Sequence, residues 1–372
     1  MLRPYFDRVL TQLSDKYLTI EVKAKTLELL TGLGVIVFAG MLMGCTILPM
    51  RYAIKWRWEN IWMAFTGFAQ VLFPFVLLEL TVPEAWQAYK AAKPSAVASA
   101  LLLGFGWGVG NTLSGIGYTM LGIGLGTSLV LGLTAAIGSL LPLVILFPGR
   151  LGSSSTALLY IGIGVMMAGL TLSAQAGRQR QAIRSESETT TGADLKAFGK
   201  GDIRVGLLIC VVSGILSSML NLALVFGDDI RLKALRVGAS NIGAVNMLWL
   251  PVEASGFLAT LFYCSYLLTR NRSWSLYFSK GSGSHWFIAM MMAAFFMGGL
   301  SLYGLGTARL GEMGAIVGFP VFMSTVVLTG NTAGLVTGEW RGTPRIAYVY
   351  GMAGLLLLVV AIVCIGLGKA AA

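Results

Sequence analysis

The sequence predicts an all-α polytopic membrane protein with about ten transmembrane helices arranged as a five-plus-five inverted repeat. Three observations carry that expectation. The chain is 56% hydrophobic and 12% charged, about half the charged share of a soluble domain, and its mean hydropathy is +0.78, so its solvent is hydrocarbon. Apolar runs of the ~20 residues needed to cross a bilayer core recur between polar breaks, roughly at 32–50, 60–80, 95–117, 122–147, 155–175, 203–226, 242–268, 285–305, 312–337 and 345–367. Backbone groups cannot stay unpaired in lipid, so spans of this length are helices rather than strands. The longest polar stretch, "GRQRQAIRSESETTTGADLKAFGKGD" (177–202), divides the spans five and five. Five is odd, so a second copy of the first half enters the membrane from the other side, which is the arithmetic of an inverted repeat.

Taken in order, residues 1–31 are charged from Arg3 onward and lack the early apolar core of a signal peptide. Phe6, Val9, Leu10, Leu13 and Tyr17 fall at helical spacing with Asp7, Arg8, Gln12 and Lys16 between them. The pattern suits an amphipathic helix on the membrane surface; a short soluble helix or a frayed tail fits it as well. Residues 32–176 form the first five-helix repeat, 177–202 a polar linker without apolar periodicity, and 203–368 the second repeat. An internal echo supports the repeat: "GIGYTMLG" (115–122) answers "GLGTARLG" (304–311), each where the third span of a half turns into the fourth.

The third span opens on "GFGWGVGNTLSGIG" (104–117). It has neither the G-x-G-x-x-G of a dinucleotide loop nor the G-x-x-x-x-G-K-[ST] of a P-loop, so no nucleotide cofactor is expected. Gly104/Gly108, Gly106/Gly110 and Gly122/Gly126 are each four apart. Such small-xxx-small faces let helices approach closely where lipid removes the hydrophobic drive to associate. Cys45, Cys210, Cys264 and Cys364 stand alone in apolar spans and His285 is the single histidine, so a metal centre is not expected either. The net charge of +11 is scattered over short loops. It reads as headgroup anchoring rather than nucleic-acid binding, and Lys and Arg divide almost evenly between the two faces, which leaves orientation open.

Polar groups within the spans mark the candidate site. Asn111, Ser114, Gly115 and Tyr118 share a helical face, and an unpaired amide facing lipid is costly, so this face points into the bundle. Asn111 either bonds a neighbouring helix or touches a solute. Ser213, Ser217 and Asn221 form a stripe on the sixth span, and Ser324, Thr325 and Asn331 could line the same interior. Glu253 lies in "NMLWLPVEASGFLATLFYCSYLL" with Asn246 and Trp249 seven and four residues before it on one face. An intramembrane acid is a functional hypothesis by default. Low dielectric favours its neutral form, which suits reversible proton binding; a neutral Glu bonded to a neighbouring helix is the competing reading. Pro251 favours a kink nearby. Trp107 and Trp249 lie deeper than the tryptophans near span ends (Trp56, Trp58, Trp62, Trp86, Trp274, Trp286, Trp340), which read as interfacial anchors.

"KWRWENIW" (55–62), "GFGWGVGNTLSGIGYTMLGIGLGTSLVLGLTAAIGSLLP" (104–142) and "LYGLGTARLG" with the later "GEW" (302–340) resemble the L-rhamnose–proton symporter family of the drug/metabolite transporter superfamily. The resemblance implies a drug/metabolite transporter-like fold with a central cavity, alternating access, and sugar uptake coupled to protons. The resulting expectation is a secondary transporter, not an enzyme, that moves a small polar solute, a monosaccharide such as L-rhamnose, with protons across a bacterial inner membrane. Asn111, Ser114, Tyr118, Asn221, Asn246 and Trp249 would contact the solute and Glu253 would carry the proton. Its partners are then the solute, protons and lipid, with no nucleic acid. A metabolite or drug exporter on the same fold is the alternative. A membrane enzyme or sensor is disfavoured, because no nucleophile–base pair, phosphate loop or soluble domain is visible in the sequence.

Overall fold

A computed structural model describes residues 3–121, 123–187, 203–338, 340 and 342–370. Among the described residues the regular structure is helical, and ten helices are long and apolar enough to cross a membrane. Helix α1 (Arg3–Cys45) carries the first span in its second half and runs into it without a break. The N-terminal segment is therefore helical and continuous with the membrane helix; the side chains of its apolar stripe lie outside the described residues.

The second span is α2 (Trp58–Gly67), a π-helical turn (Phe68–Leu72) and α3 (Phe73–Thr81). Pro74 supplies the cause of the wide turn, since it has no N–H to return to the carbonyl one turn back. A short helix α4 (Ala85–Ala91) leads to α5 (Pro94–Leu121), followed by α6 (Ile123–Leu146) and α7 (Ser154–Ser187). The sequence expectation ended the fifth span near 175 and began a linker at 177. Helix α7 instead continues through Ser187, because Arg, Gln and Ala are good helix formers whether or not lipid surrounds them. The remainder of that linker, 188–202, lies outside the described residues.

The sixth span is α8 (Ile203–Ser217) joined at Ser218 to α9 (Met219–Phe226). Helix α10 (Asp228–Arg236) places Asp228 and Asp229 in its first turn and Lys233 and Arg236 in its last, each sign matched to the helix dipole. Helix α11 (Asn241–Arg270) is capped by Ser240, whose Oγ accepts from the Gly243 N–H at 3.2 Å. Then follow α12 (Gly283–Arg309), closed by Gly311 at φ +74°, α13 (Gly314–Val336) and α14 (Arg345–Ala370).

The glycines of α5 serve two partners. A Cβ on Gly104 or Gly108 would overlap α11 at Val252 and Gly256, whereas one on Gly106 would overlap Met219 and one on Gly110 would come within 2.7 Å of Leu216 and Ser217. One glycine face thus admits α11 and the other admits the junction of α8 and α9. Gly126 lies under the Tyr118 ring, 2.7 Å from where its Cβ would stand; Gly122 lies outside the described residues. Packing elsewhere runs in matched sets: α5 rests on α8 and α11 while α12 rests on α1 and α2; α6 rests on α7 and α8 while α13 rests on α14 and α1.

At the membrane face where the first two spans meet, the segment 53–65 locks onto the connection between α11 and α12. Trp56 Nε1 donates to Leu276 O (3.1 Å), Asn60 Nδ2 to Ser273 O (2.9 Å), and the His285 Nε2 accepts from the Lys55 N–H (3.2 Å). The Tyr277 hydroxyl donates to Asn60 O (3.1 Å), and burial pushes its pKa up, which keeps it a donor. Trp56, expected as an interfacial anchor, is buried among Tyr277, His285 and Trp286. A ring set beside three other rings is shielded from the headgroup region that its sequence position suggested.

Candidate functional site

A half-open cavity of about 130 Å³ lies between α5, α6, the α8–α9 junction and α13. That is close to the ~150 Å³ that accepts a benzene-sized ring. Its polar lining is Asn111, Ser114 and Tyr118 from α5, Thr134 from α6 and Ser217 from α8; its apolar lining includes Trp107, Leu131, Leu220, Phe319 and Met323. Ser114 Oγ donates to Asn111 O (2.6 Å) and Thr134 Oγ1 donates to Gly214 O (3.2 Å), so both hydroxyls offer lone pairs to a visiting donor. Among the described residues the Asn111 carboxamide and the Ser217 hydroxyl make no hydrogen bond. A few donors and acceptors set among aromatic and aliphatic side chains are the usual composition of a small-molecule site.

Of the six substrate-contact residues expected from sequence, the structure brings Asn111, Ser114 and Tyr118 together in this lining. The other three stand elsewhere, each consumed by a neighbouring helix. Asn221 is fully buried: its Nδ2 donates to Gly138 O (2.7 Å) and Ala315 O (3.2 Å), and its Oδ1 accepts from the Tyr303 hydroxyl (2.5 Å). Asn246 accepts from Ser301 Oγ (2.6 Å), and Trp249 Nε1 donates to Leu300 O (3.1 Å). In this conformation these three fasten helices, because a buried amide or indole N–H takes whatever carbonyl or hydroxyl faces it.

Glu253 is different. It is fully buried in α11, and among the described residues neither carboxyl oxygen has a hydrogen-bond partner. The contrast is Glu59, a buried acid that its place in the sequence did not distinguish. Its Oε1 accepts from Asn271 Nδ2 (3.0 Å) and Ser273 Oγ (2.9 Å) in the loop lock described above, and it sits in the first turn of α2 where the helix dipole favours an anion. Glu59 is a hydrogen-bonded structural acid; Glu253 is a buried carboxyl that makes no hydrogen bond among the described residues. Gln70, in the π-helical turn packed on α11 and α12, also buries an unbonded Oε1. A single glutamine in an apolar run gives no periodic signal, which is why it escaped notice.

The model of the L-rhamnose-proton symport protein family matches residues 28–371, which is nearly the whole chain. The chain belongs to this family. Its relatives include proteins named L-rhamnose-proton symporter from Yersinia pestis (strain Pestoides F), Yersinia pseudotuberculosis serotype O:1b (strain IP 31758) and Yersinia pseudotuberculosis serotype O:3 (strain YPIII). Each is 23% identical over 344 residues, covering 88% of this chain and 94% of the relative. Within the L-rhamnose-proton symport protein family this chain is an integral, multi-pass membrane protein with ten apolar helices among the described residues. The relatives' names describe symporters and give the exporter alternative no support.

Proposed function

We propose that this member of the L-rhamnose-proton symport protein family is a secondary transporter that takes up a monosaccharide such as L-rhamnose together with protons, in a bacterial inner membrane. The observation that carries the reading is the cavity, whose lining mixes Asn111, Ser114, Tyr118, Thr134 and Ser217 with Trp107, Phe319 and Met323 around a space of about 130 Å³. Hydroxyls of a sugar suit the polar side chains, and its C–H groups suit the apolar ones. Glu253, buried among helices with no hydrogen-bond partner, is the proton carrier: it takes a proton as a neutral acid within the membrane and releases it when water reaches it. The ten spans act as an inverted repeat that alternates access to the cavity. The matched packing of α5 and α12, and of α6 and α13, supports that arrangement. So does the offset that aligns 115–122 with 304–311, because it also aligns Trp107 with Phe296, whose rings meet at 6.3 Å.

The substrate arm is tested by thermal shift on purified protein with a panel of monosaccharides. A sugar at ~100 times its Kd raises apparent stability by about 2.7 kcal/mol. L-Rhamnose is expected to raise the melting temperature of wild-type protein and to lose that effect in Asn111→Ala. A shift by an unrelated solute class and none by any monosaccharide would overturn the sugar assignment.

A further inference from the structure

One indole both lines the cavity and packs against α11, the helix that carries Glu253. Trp107 is 7% exposed and contributes to the cavity wall. The same ring packs against Gly256 of α11 so closely that a Cβ there would stand 2.8 Å from Cε3 and 2.9 Å from Cζ3. Phe296 of α12 lies beside the indole with ring centroids 6.3 Å apart and planes tilted by 30°. Helices α11 and α12 are consecutive and antiparallel, and the bond from Trp249 Nε1 to Leu300 O (3.1 Å) fixes their register. One turn on along α11 from Trp249 stands Glu253, and one turn back along α12 from Leu300 stands Phe296. The unbonded carboxyl is therefore level with the Trp107–Phe296 pair, three residues from the glycine that Trp107 covers.

We infer that Trp107 is the gate between the solute cavity and the Glu253 proton site. This rests on the symport reading above and adds its control: the ring keeps cavity water from the carboxyl while the cavity is empty and yields when a solute occupies it. A symporter has to stop the proton from crossing alone, and a carboxyl without partners ionises only where water can solvate it. The construction suits the task. Gly104 and Gly108, one turn apart on either side of the ring's own position, press backbone onto α11, so the indole is the bulky side chain that this turn of α5 sets against Gly256. Among the described residues its Nε1 makes no hydrogen bond, so a solute hydroxyl can bind it and draw the ring with the occupant. Trp107 is in this account a positioning residue for the proton step and a contact residue for the solute.

The test is proton flux into proteoliposomes under an imposed pH gradient with no sugar present, followed by an internal pH dye. Wild-type protein is expected to leak little. Trp107→Ala is expected to raise solute-free flux by about tenfold or more, the factor that a modest loss of barrier gives, and Trp107→Ala combined with Glu253→Gln is expected to return it to the wild-type level. Loss of packing alone would not produce a leak that a second, conservative change at Glu253 removes. A folded Trp107→Ala protein that leaks no more than wild type overturns the gate, as does a leak that survives in the double variant. Should the alanine variant not fold, Trp107→Leu and Trp107→Phe take its place with the same two outcomes. Failure of the underlying reading looks different: Glu253→Gln in an otherwise wild-type protein would leave pH-driven sugar uptake unchanged.

Discussion

At the scale of single residues, two asparagines that look alike in sequence do opposite work. Asn221 satisfies two carbonyls and a tyrosine hydroxyl on three other helices. Asn221→Ala leaves those groups buried and unpaired, at about 1–3 kcal/mol each, so the variant is expected to melt many degrees lower or fail to accumulate in the membrane. Asn111→Ala removes a side chain that faces a cavity. It is expected to melt close to wild type, measured by the same thermal scan, while sugar uptake falls and KM rises. Helical spacing placed both amides on inward faces, which was legible. It could not tell which carbonyls stand opposite, because that depends on the tilt and register of helices far away in the chain. The same limit hid Glu59: an acid beside Arg57 at a span edge reads as solvated, whereas Asn271 and Ser273 arrive from more than 200 positions later to bury it.

Elements show where composition speaks plainly. A four-residue glycine repeat in an apolar helix predicts close helix contact, and the backbone contacts of α5 with α11 and with the α8–α9 junction follow that pattern. Gly108→Val is expected to destabilise the protein severely, since even a Cβ would overlap the Gly256 backbone, and overpacking of this kind costs about 1–3 kcal/mol or more. Gly115→Ala, on the same helix, meets nothing within 4 Å; it is expected to hold or slightly raise the melting temperature, as glycine in a helix interior is about 0.5–1 kcal/mol worse than alanine. The α7 extension past the membrane and the π-helical turn before Pro74 were not legible, for different reasons. Polarity marks where lipid stops, not where a helix stops, and a proline announces a disturbance without saying whether the helix kinks, breaks or widens.

For the whole molecule, the sequence supplied the count of spans because hydrocarbon thickness imposes a length that any apolar run either meets or misses. An even number of crossings is expected to put both ends of the chain on one membrane face and the segment joining α7 to α8 on the other. Reporter fusions at each terminus and within that segment are expected to report one side for the first two and the opposite side for the third. The cavity was only half legible: its α5 wall shares one helical face, but Thr134, Ser217, Phe319 and Met323 are brought there by packing that no local pattern encodes. The proposed mechanism joins a cavity of about 130 Å³ to the buried Glu253 carboxyl through Trp107. The most direct measurement is uptake of labelled L-rhamnose into proteoliposomes with and without an inward proton gradient, for wild type and Glu253→Gln. The account predicts that the gradient drives accumulation in wild type and that Glu253→Gln abolishes this response while retaining sugar-induced thermal stabilisation. Gradient-driven accumulation that persists undiminished in Glu253→Gln would contradict it.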